Sequence, residues 1–171
     1  MIGFKEILNG NDNRCFEQLR MIKPVFLKLC NVLERNYGLK KTKGMIIHEQ
    51  VGLFLYMLGQ PASVRNTQER LQHSGETISR QFNSVLKAII VLSRDIISSV
   101  DPTFKDVPHQ IRNDGRYYPY FKDCIGTIDG TRVKIIVSNE HQIPYTCRKG
   151  FTSTNVMVVC DFNMCFTFVL T

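Results

Sequence analysis

Apolar residues recur three and four positions apart from Asn13 to about Val100, and this spacing predicts amphipathic helices. Cys15, Leu19 and Ile22 mark a short first helix. Pro24 suits the first turn of the next helix, and Gly38 is suited to end it. The predicted apolar face of this second helix consists of Val25, Phe26, Leu29, Val32 and Leu33.

A strongly apolar stretch follows at 47–58, and we expect it to be the buried central helix. Ser63 is placed to cap a short helix that runs through Gln68 to Leu71. After a break at 73–75, a long helix begins near Glu76. Its predicted apolar stripe consists of Ile78, Phe82, Val85, Leu86, Ile89, Leu92 and Ile96.

The short helix, the Ser-Gly turn and the long helix together fit a helix-turn-helix motif. The opposite face of the long helix carries Thr77, Ser79, Arg80 and Asn83 near its start. We expect these four side chains to face a DNA groove or DNA phosphates. The alternative is an ordinary helical hairpin, since the exposed faces of most helices are polar.

The pattern changes after residue 100. Turn-forming residues without helical periodicity predict a connecting segment at 101–123. Four β-rich runs follow, and they are Ile125–Ile128, Val133–Val137, Asn155–Cys160 and Phe166–Leu170. Asp129-Gly130-Thr131 is predicted as a turn between the first two runs, and 161–164 as a tight hairpin between the last two. The predicted class is α+β, with a helical domain at 13–100 and a sheet at 124–171.

Charge and cysteine usage narrow the functional classes. The net charge is +7, and residues 1–100 hold 14 Lys and Arg against 8 Asp and Glu. This basic excess suits a surface that faces phosphates, although a merely solvated surface is the alternative. No apolar run reaches the roughly 18 residues of a membrane span. The six cysteines lack zinc-site spacing and are expected to be reduced, with a Cys160–Cys165 disulfide across the hairpin as the alternative.

Two segments resemble the nuclease core of a known family. They are the run from Tyr118 to Thr131 and the series Arg148-Lys149-Gly150, Asn155-Val156 and Cys160-Asp161-Phe162. Both are similar to the transposase-derived nucleases of the PIF/Harbinger group, in the DDE endonuclease superfamily. The helical half, through 17–21 and 75–83, resembles the domain of undefined function that precedes this core in plant members.

The resemblance implies an RNase H-like core in which three acids hold two divalent metal ions, Mg²⁺ or Mn²⁺. Asp129 matches the first acid by motif position, so it is the predicted catalytic and metal-binding residue. Arg132 stands where many members have His. The positions of the second acid and the final Glu lie beyond Thr171, and neither Glu140 nor Asp161 matches a catalytic position. We therefore expect an incomplete, C-terminally truncated RNase H-like sheet with an exposed edge and apolar face.

Three hypotheses follow for function. The first is a truncated transposase-derived DNA endonuclease with weak or no cleavage. The second is a non-enzymatic DNA-binding or regulatory protein that uses only the helical domain. The third is a protein-interaction module, since the resemblance implies a Myb-like partner, and the open sheet also predicts homo-oligomers. The expected location is the nucleus, with the cytoplasm as the alternative, and no membrane association is expected.

Overall fold

Helices precede strands along this chain, as the apolar spacing predicts. The computed structural model describes residues 12–60, 64–99, 103 and 105–171. In this part of the chain six α-helices are followed by one three-stranded antiparallel sheet, so the predicted α+β class is confirmed. The chain divides into two compact units, Met1–Ser93 and Arg94–Thr171, which we call the helical unit and the strand unit.

The helices are α1 (Asp12–Leu19), α2 (Lys23–Asn36), α3 (Ile47–Gly59), α4 (Val64–Leu71), α5 (Gly75–Ile96) and α6 (His109–Arg112). The strands are β1 (Thr127–Lys134), β2 (Ser153–Cys160) and β3 (Phe166–Leu170). Two short 3-10 turns, Asn139–His141 and Ile143–Tyr145, lie between β1 and β2. The short helix α6 lies inside the predicted connecting segment and was not predicted. None of the helices in the described ranges is long and apolar enough to cross a membrane.

The ends of α1 and α2 differ from the prediction in detail. Ile22 does not belong to the first helix, because α1 ends at Leu19 and Arg20 has a φ of 54°. Ile22 instead precedes α2, whose first turn contains Pro24 as predicted. Gly38 has a φ of 71°, a left-handed conformation that glycine adopts without a Cβ penalty, and the prediction that the helix stops there is confirmed.

The core of the helical unit is built from one stripe of each long helix. Phe26, Cys30 and Leu33 of α2 are buried, whereas Val25 is half exposed. The buried face therefore begins at Phe26, one residue later than predicted. α3 is buried along its first two turns. From α5, Val85 and Ala88 join this core. Burying a side chain of this size contributes about 1.5–3 kcal/mol.

The long helix α5 follows its predicted stripe over most of its length. Phe82 packs against Phe54 of α3 with ring centroids 4.8 Å apart. Ile78 is fully buried, but Ile96 at the other end is largely exposed, so the stripe ends before it. Ser63, the predicted cap of α4, lies outside the described residues.

The sheet corrects the predicted turn at Asp129-Gly130-Thr131. These residues lie in the middle of β1, where Asp129 pairs with Val158 and Thr131 pairs with Val156. A Gly in a strand interior is weakly unfavourable alone, but the pairing of the flanking residues with β2 outweighs that local preference. One strand therefore joins the end of the first predicted run to the start of the second. It starts at Thr127 and ends at Lys134, so part of each run lies outside it.

The turn between β2 and β3 agrees with the predicted hairpin. The Asp161 carboxylate accepts hydrogen bonds from the backbone N–H groups of Asn163 and Cys165, each at 2.9 Å. Met164 takes a positive φ of 64°. Cys160 and Cys165 are both free thiols in this structure.

Gly126, just before β1, is required by a close approach of two backbone segments. A Cβ at this position would lie 2.5 Å from the carbonyl oxygen of Cys160, which is closer than any real Cβ contact. Gly130 differs, because a Cβ there would meet nothing within 4 Å. The Gly126 backbone therefore fixes how β1 enters the sheet beside β2.

Candidate functional site

The first candidate site is the turn between α4 and α5. Three residues, 72–74, separate the end of α4 from the start of α5. The Ser74 hydroxyl oxygen accepts a hydrogen bond from the backbone N–H of Thr77 at 3.3 Å, which is how a serine caps a helix start. The predicted helix start near Glu76 did not include this cap. Its signal was present, since a Ser four residues before the first stripe residue, Ile78, is typical of a helix start.

All four predicted DNA-binding residues lie within the first nine residues of α5. Ser79, Arg80 and Asn83 are exposed and Thr77 is half buried, whereas Ile78 between them is completely buried. The structure therefore brings the four residues together on the polar side of one helix. This placement agrees with the predicted division of the helix into an apolar and a polar face.

Two of these side chains are already held by neighbours on the same helix. The Asn83 amide donates a hydrogen bond to the carbonyl oxygen of Ser79 at 2.8 Å. The Arg80 guanidinium lies 3.3 Å from the Glu76 carboxylate, with both side chains mostly exposed. An exposed ion pair of this kind contributes less than about 1 kcal/mol, so a phosphate could replace Glu76 at small cost.

The second candidate site surrounds Asp129 on β1. Because alternate residues of a strand share a face, Thr127, Asp129 and Thr131 lie on one side of the sheet. They line an open recess of about 230 Å³ together with Val158, Cys160 and Phe166. Asp129 is exposed, and its carboxylate accepts a hydrogen bond from the backbone N–H of Gly130 at 2.7 Å.

The donors around Asp129 do not fit a two-metal site. The recess offers one carboxylate, two hydroxyl groups and the thiol of Cys160. Mg²⁺ and Mn²⁺ prefer oxygen ligands, and a two-metal nuclease site needs carboxylates that converge from several elements. Within the described part of the chain, no three His, Cys, Asp or Glu side chains are grouped so as to hold a metal ion.

The two other acids downstream of Asp129 have other surroundings. The Asp161 carboxylate is occupied by the hairpin N–H groups, so its role there is structural. Glu140 lies exposed in the 3-10 turn Asn139–His141. The structure places neither acid among the residues that line the Asp129 recess.

The Arg148-Lys149-Gly150 segment forms a tight turn that encloses a thiol. Gly150 has a φ of 76°, and its N–H donates to the carbonyl oxygen of Cys147 at 2.9 Å. Burial by itself raises the pKa of the Cys147 thiol, but N–H groups of Phe151 and Lys149 and the nearby charge of Arg132 bring that pKa below its ordinary value. The segment therefore orders the loop before β2.

Comparison with known protein families covers the helical unit. The sequence model of one family, described as "Domain of unknown function (DUF8040)", matches residues 3–91, just over half of the 171-residue chain. The chain belongs to the DUF8040 family. The DUF8040 match ends close to Ser93, the last residue of the helical unit. No curated protein and no solved structure matches the chain.

Only one of the two candidate sites lies within the DUF8040 match. Thr77, Ser79, Arg80 and Asn83 all fall within residues 3–91, so the polar face of α5 belongs to the DUF8040 domain. Asp129 falls outside the match.

Proposed function

We propose that the DUF8040 domain of this chain binds DNA through the exposed start of α5. One observation carries the proposal: Ser79, Arg80 and Asn83 are exposed together directly after a three-residue turn, while the opposite face of the same helix is anchored in the core. In helix-turn-helix proteins the residues that contact bases lie at this position of the second helix.

The chemistry of the three side chains supports this proposal. Arg pairs with guanine edges or phosphates, and Asn pairs with adenine edges, whereas Ser donates to phosphates. The surplus of Lys and Arg in residues 1–100 favours approach to the negatively charged DNA backbone. Binding requires Arg80 to leave Glu76 and Asn83 to leave the Ser79 carbonyl, and both can do so because they are exposed.

The test is duplex DNA binding by fluorescence anisotropy as a function of salt. We expect Arg80→Ala and Asn83→Ala each to weaken binding by about 1–3 kcal/mol, or roughly five- to 150-fold. Arg35→Ala and Asn31→Ala, which change exposed residues of α2, are the matched controls and should bind like the unchanged protein. Equal losses in controls and α5 variants, or no salt-dependent binding at all, would overturn the proposal.

The second candidate is a transposase-derived DNA endonuclease in which Asp129 is the first catalytic acid. The exposure of Asp129 in an open recess of the strand unit favours this candidate. Because the recess supplies one carboxylate, we propose that Mg²⁺ or Mn²⁺ is held weakly and that cleavage is weak or absent. If cleavage is absent, we propose that the DUF8040 domain acts as a non-enzymatic DNA-binding regulator in the nucleus.

Asp129→Ala separates the two candidates. We expect this variant to bind duplex DNA as well as the unchanged protein, because Asp129 lies outside the DUF8040 domain. Asp123→Ala is the matched control, since Asp123 is an exposed acid that does not line the recess. Nicking of supercoiled DNA in Mg²⁺ or Mn²⁺ that only Asp129→Ala abolishes would instead establish the endonuclease.

Apolar exposure in the strand unit supports association with other chains. Ile128 is 69% exposed and Phe166 is 56% exposed, and such patches commonly mark interaction surfaces. We propose that this sheet contacts a second copy of the chain or a Myb-like protein partner. Light scattering of the purified protein should show species larger than a monomer, and a monodisperse monomer would contradict self-association.

A further inference from the structure

A basic groove of the helical unit runs along α5 from Arg80 to Val91. It has a volume of about 450 Å³ and lies between α5 and the loop that follows α2. Four cationic side chains line it, which are Lys40 and Lys41 from the loop and Arg80 and Lys87 from α5. None of the described residues that line it is acidic. Glu76, which pairs with Arg80, does not line the groove, so the lining itself carries only positive charge.

The bottom of the same groove is apolar. Tyr37, Leu39, Ala88 and Val91 contribute to its lining. Leu39 and Ala88 are buried, Tyr37 is half buried and Val91 is about half exposed. An aromatic ring and aliphatic side chains between cations form a surface that suits a ligand with both a flat ring and a negative charge.

The loop side of the groove is fixed from inside the protein. The side-chain amide of the fully buried Gln50 donates hydrogen bonds to the carbonyl oxygens of Lys40 at 3.0 Å and Met45 at 3.1 Å. Leu39 is anchored by its N–H, which donates to the Leu33 carbonyl oxygen at 3.1 Å. The lysines are thus presented by a preorganised backbone, which lowers the entropy lost when a ligand binds.

The helix side presents a regular stripe. Arg80, Ser84, Lys87 and Val91 line the groove at spacings of four, three and four residues, and all are exposed. Residues at these spacings lie above one another on one helix face. Successive negative groups of an extended ligand could therefore meet cations along α5 while the loop lysines face them from the other side.

Gln81 adds an unsatisfied polar group to the groove wall. It lines the groove, is 2% exposed, and its side-chain oxygen has no hydrogen-bond partner among the described residues. A buried acceptor without a partner costs about 1–3 kcal/mol.

We propose that this groove binds a short stretch of single-stranded nucleic acid. Its phosphates lie against Lys40, Lys41, Arg80 and Lys87, and an unpaired base lies on the apolar bottom beside Tyr37. The proposal goes beyond duplex recognition by the start of α5, because it assigns a second ligand to a second surface of the DUF8040 domain and shares only Arg80 with the first.

The combination of charge and apolar surface selects this ligand. A DNA duplex presents phosphates outward and keeps its bases stacked inside, so it would leave the apolar bottom of the groove uncovered. An unpaired strand offers both groups, and proteins bind such strands with a positive groove and an aromatic ring. The volume is also within the range of about 300–1,000 Å³ that is usual for ligand sites.

The test is fluorescence anisotropy of the full chain with a labelled oligothymidylate of about eight nucleotides. The double variant Lys40→Gln/Lys87→Gln should bind roughly 25-fold more weakly at about 0.1 M salt, and the slope of log affinity against log salt should fall by about 1.4, because two phosphate contacts are lost. Lys28→Gln/Lys122→Gln is the matched control, since both lysines are exposed and lie outside the groove.

A second ligand tests the apolar bottom. An abasic deoxyribose-phosphate strand of the same length should bind at least about fivefold more weakly than oligothymidylate, because one stacked base contributes about 1–3 kcal/mol. Equal binding of the two strands, equal losses in the two double variants, or equally tight binding of polyglutamate would each overturn the proposal. If oligothymidylate fails to bind while duplex DNA still depends on Arg80 and Asn83, only the groove proposal falls.

Discussion

The helical unit and the strand unit differ in where their apolar side chains lie. Phe26, Leu33 and Val85 in the helical unit are inaccessible to solvent. In the strand unit, Phe168 is 48% exposed and Leu170 is 54% exposed, and every residue of β1 is exposed. The same kinds of residue therefore stabilise one unit from within and remain on the surface of the other.

The difference follows from the geometry of the two elements. An amphipathic helix has one apolar stripe, and three helices can bury their stripes against one another. A sheet has two faces, and any face that carries apolar side chains needs a layer to cover it. The helical unit thus has the core of an independent domain, whereas apolar residues of the strand unit are exposed and available for contact with other chains.

The largest expected effect is the loss of a core aromatic side chain. Phe26→Ala should lower the free energy of unfolding by about 3–5 kcal/mol, because it removes buried surface and leaves a cavity. Urea unfolding followed by circular dichroism at the helical band measures this change.

Phe168→Ala in β3 is the matched change in the strand unit. Its side chain is half exposed, so the loss should be no more than about 1 kcal/mol. A loss as large as that of Phe26→Ala would mean that the sheet is covered in solution, and the contrast between the units would disappear.

A smaller effect is expected from a methyl group at Gly126. Gly126→Ala should lower stability by about 1–3 kcal/mol, since its Cβ would clash with the Cys160 carbonyl and β1 would have to shift. Gly130→Ala is the control within the same strand, because its Cβ would meet open space. Hydrogen exchange of the β1 amides should rise for Gly126→Ala alone. Equal protection in both variants would show that this contact does not position β1.

The last expected effect is a loss of stability of the helical unit at alkaline pH. Burial raises the pKa of the Cys30 thiol to about 12 from 9.0. The folded state thus keeps its proton where the unfolded state loses it, so the contribution of Cys30 is complete below pH 9 and declines as the pH rises towards 12. The decline is at most about 1.4 kcal/mol per pH unit.

Urea unfolding at pH 8 and at pH 10 measures this decline, with Cys30→Ala as the variant that removes it. Cys165→Ala in the strand unit is the control, because it removes an exposed thiol rather than a buried one. If Cys30→Ala and the unchanged protein lost the same free energy of unfolding between pH 8 and pH 10, burial of the Cys30 thiol would not be the cause of the decline.

Helix periodicity predicted most of the helical unit, because it depends on spacing within a short segment. The apolar run at 47–58 and the stripe that begins at Ile78 both correspond to observed helices. The polar face with Arg80 and Asn83 was predicted by the same reasoning, since whatever is not on the buried stripe must face outward.

Features that depend on distant partners were not predicted. The sequence favours a turn at Asp129-Gly130-Thr131, but pairing with β2, which lies more than twenty residues away, makes it a strand. The groove was missed for a similar reason. Lys40 and Lys87 are far apart in sequence, and only the packing of α5 beside the loop brings them to one site.

Gln50 holds the loop of the groove through main-chain contacts alone, so the shape of the loop does not depend on its exposed side chains. Its amide binds carbonyl oxygens of the main chain at Lys40 and Met45, and every amino acid has such an oxygen. The loop would therefore keep its path if Lys40 or Lys41 were exchanged for other exposed residues. Related domains with this glutamine could carry different side chains on the same loop, and thereby take different ligands without any change to the underlying scaffold.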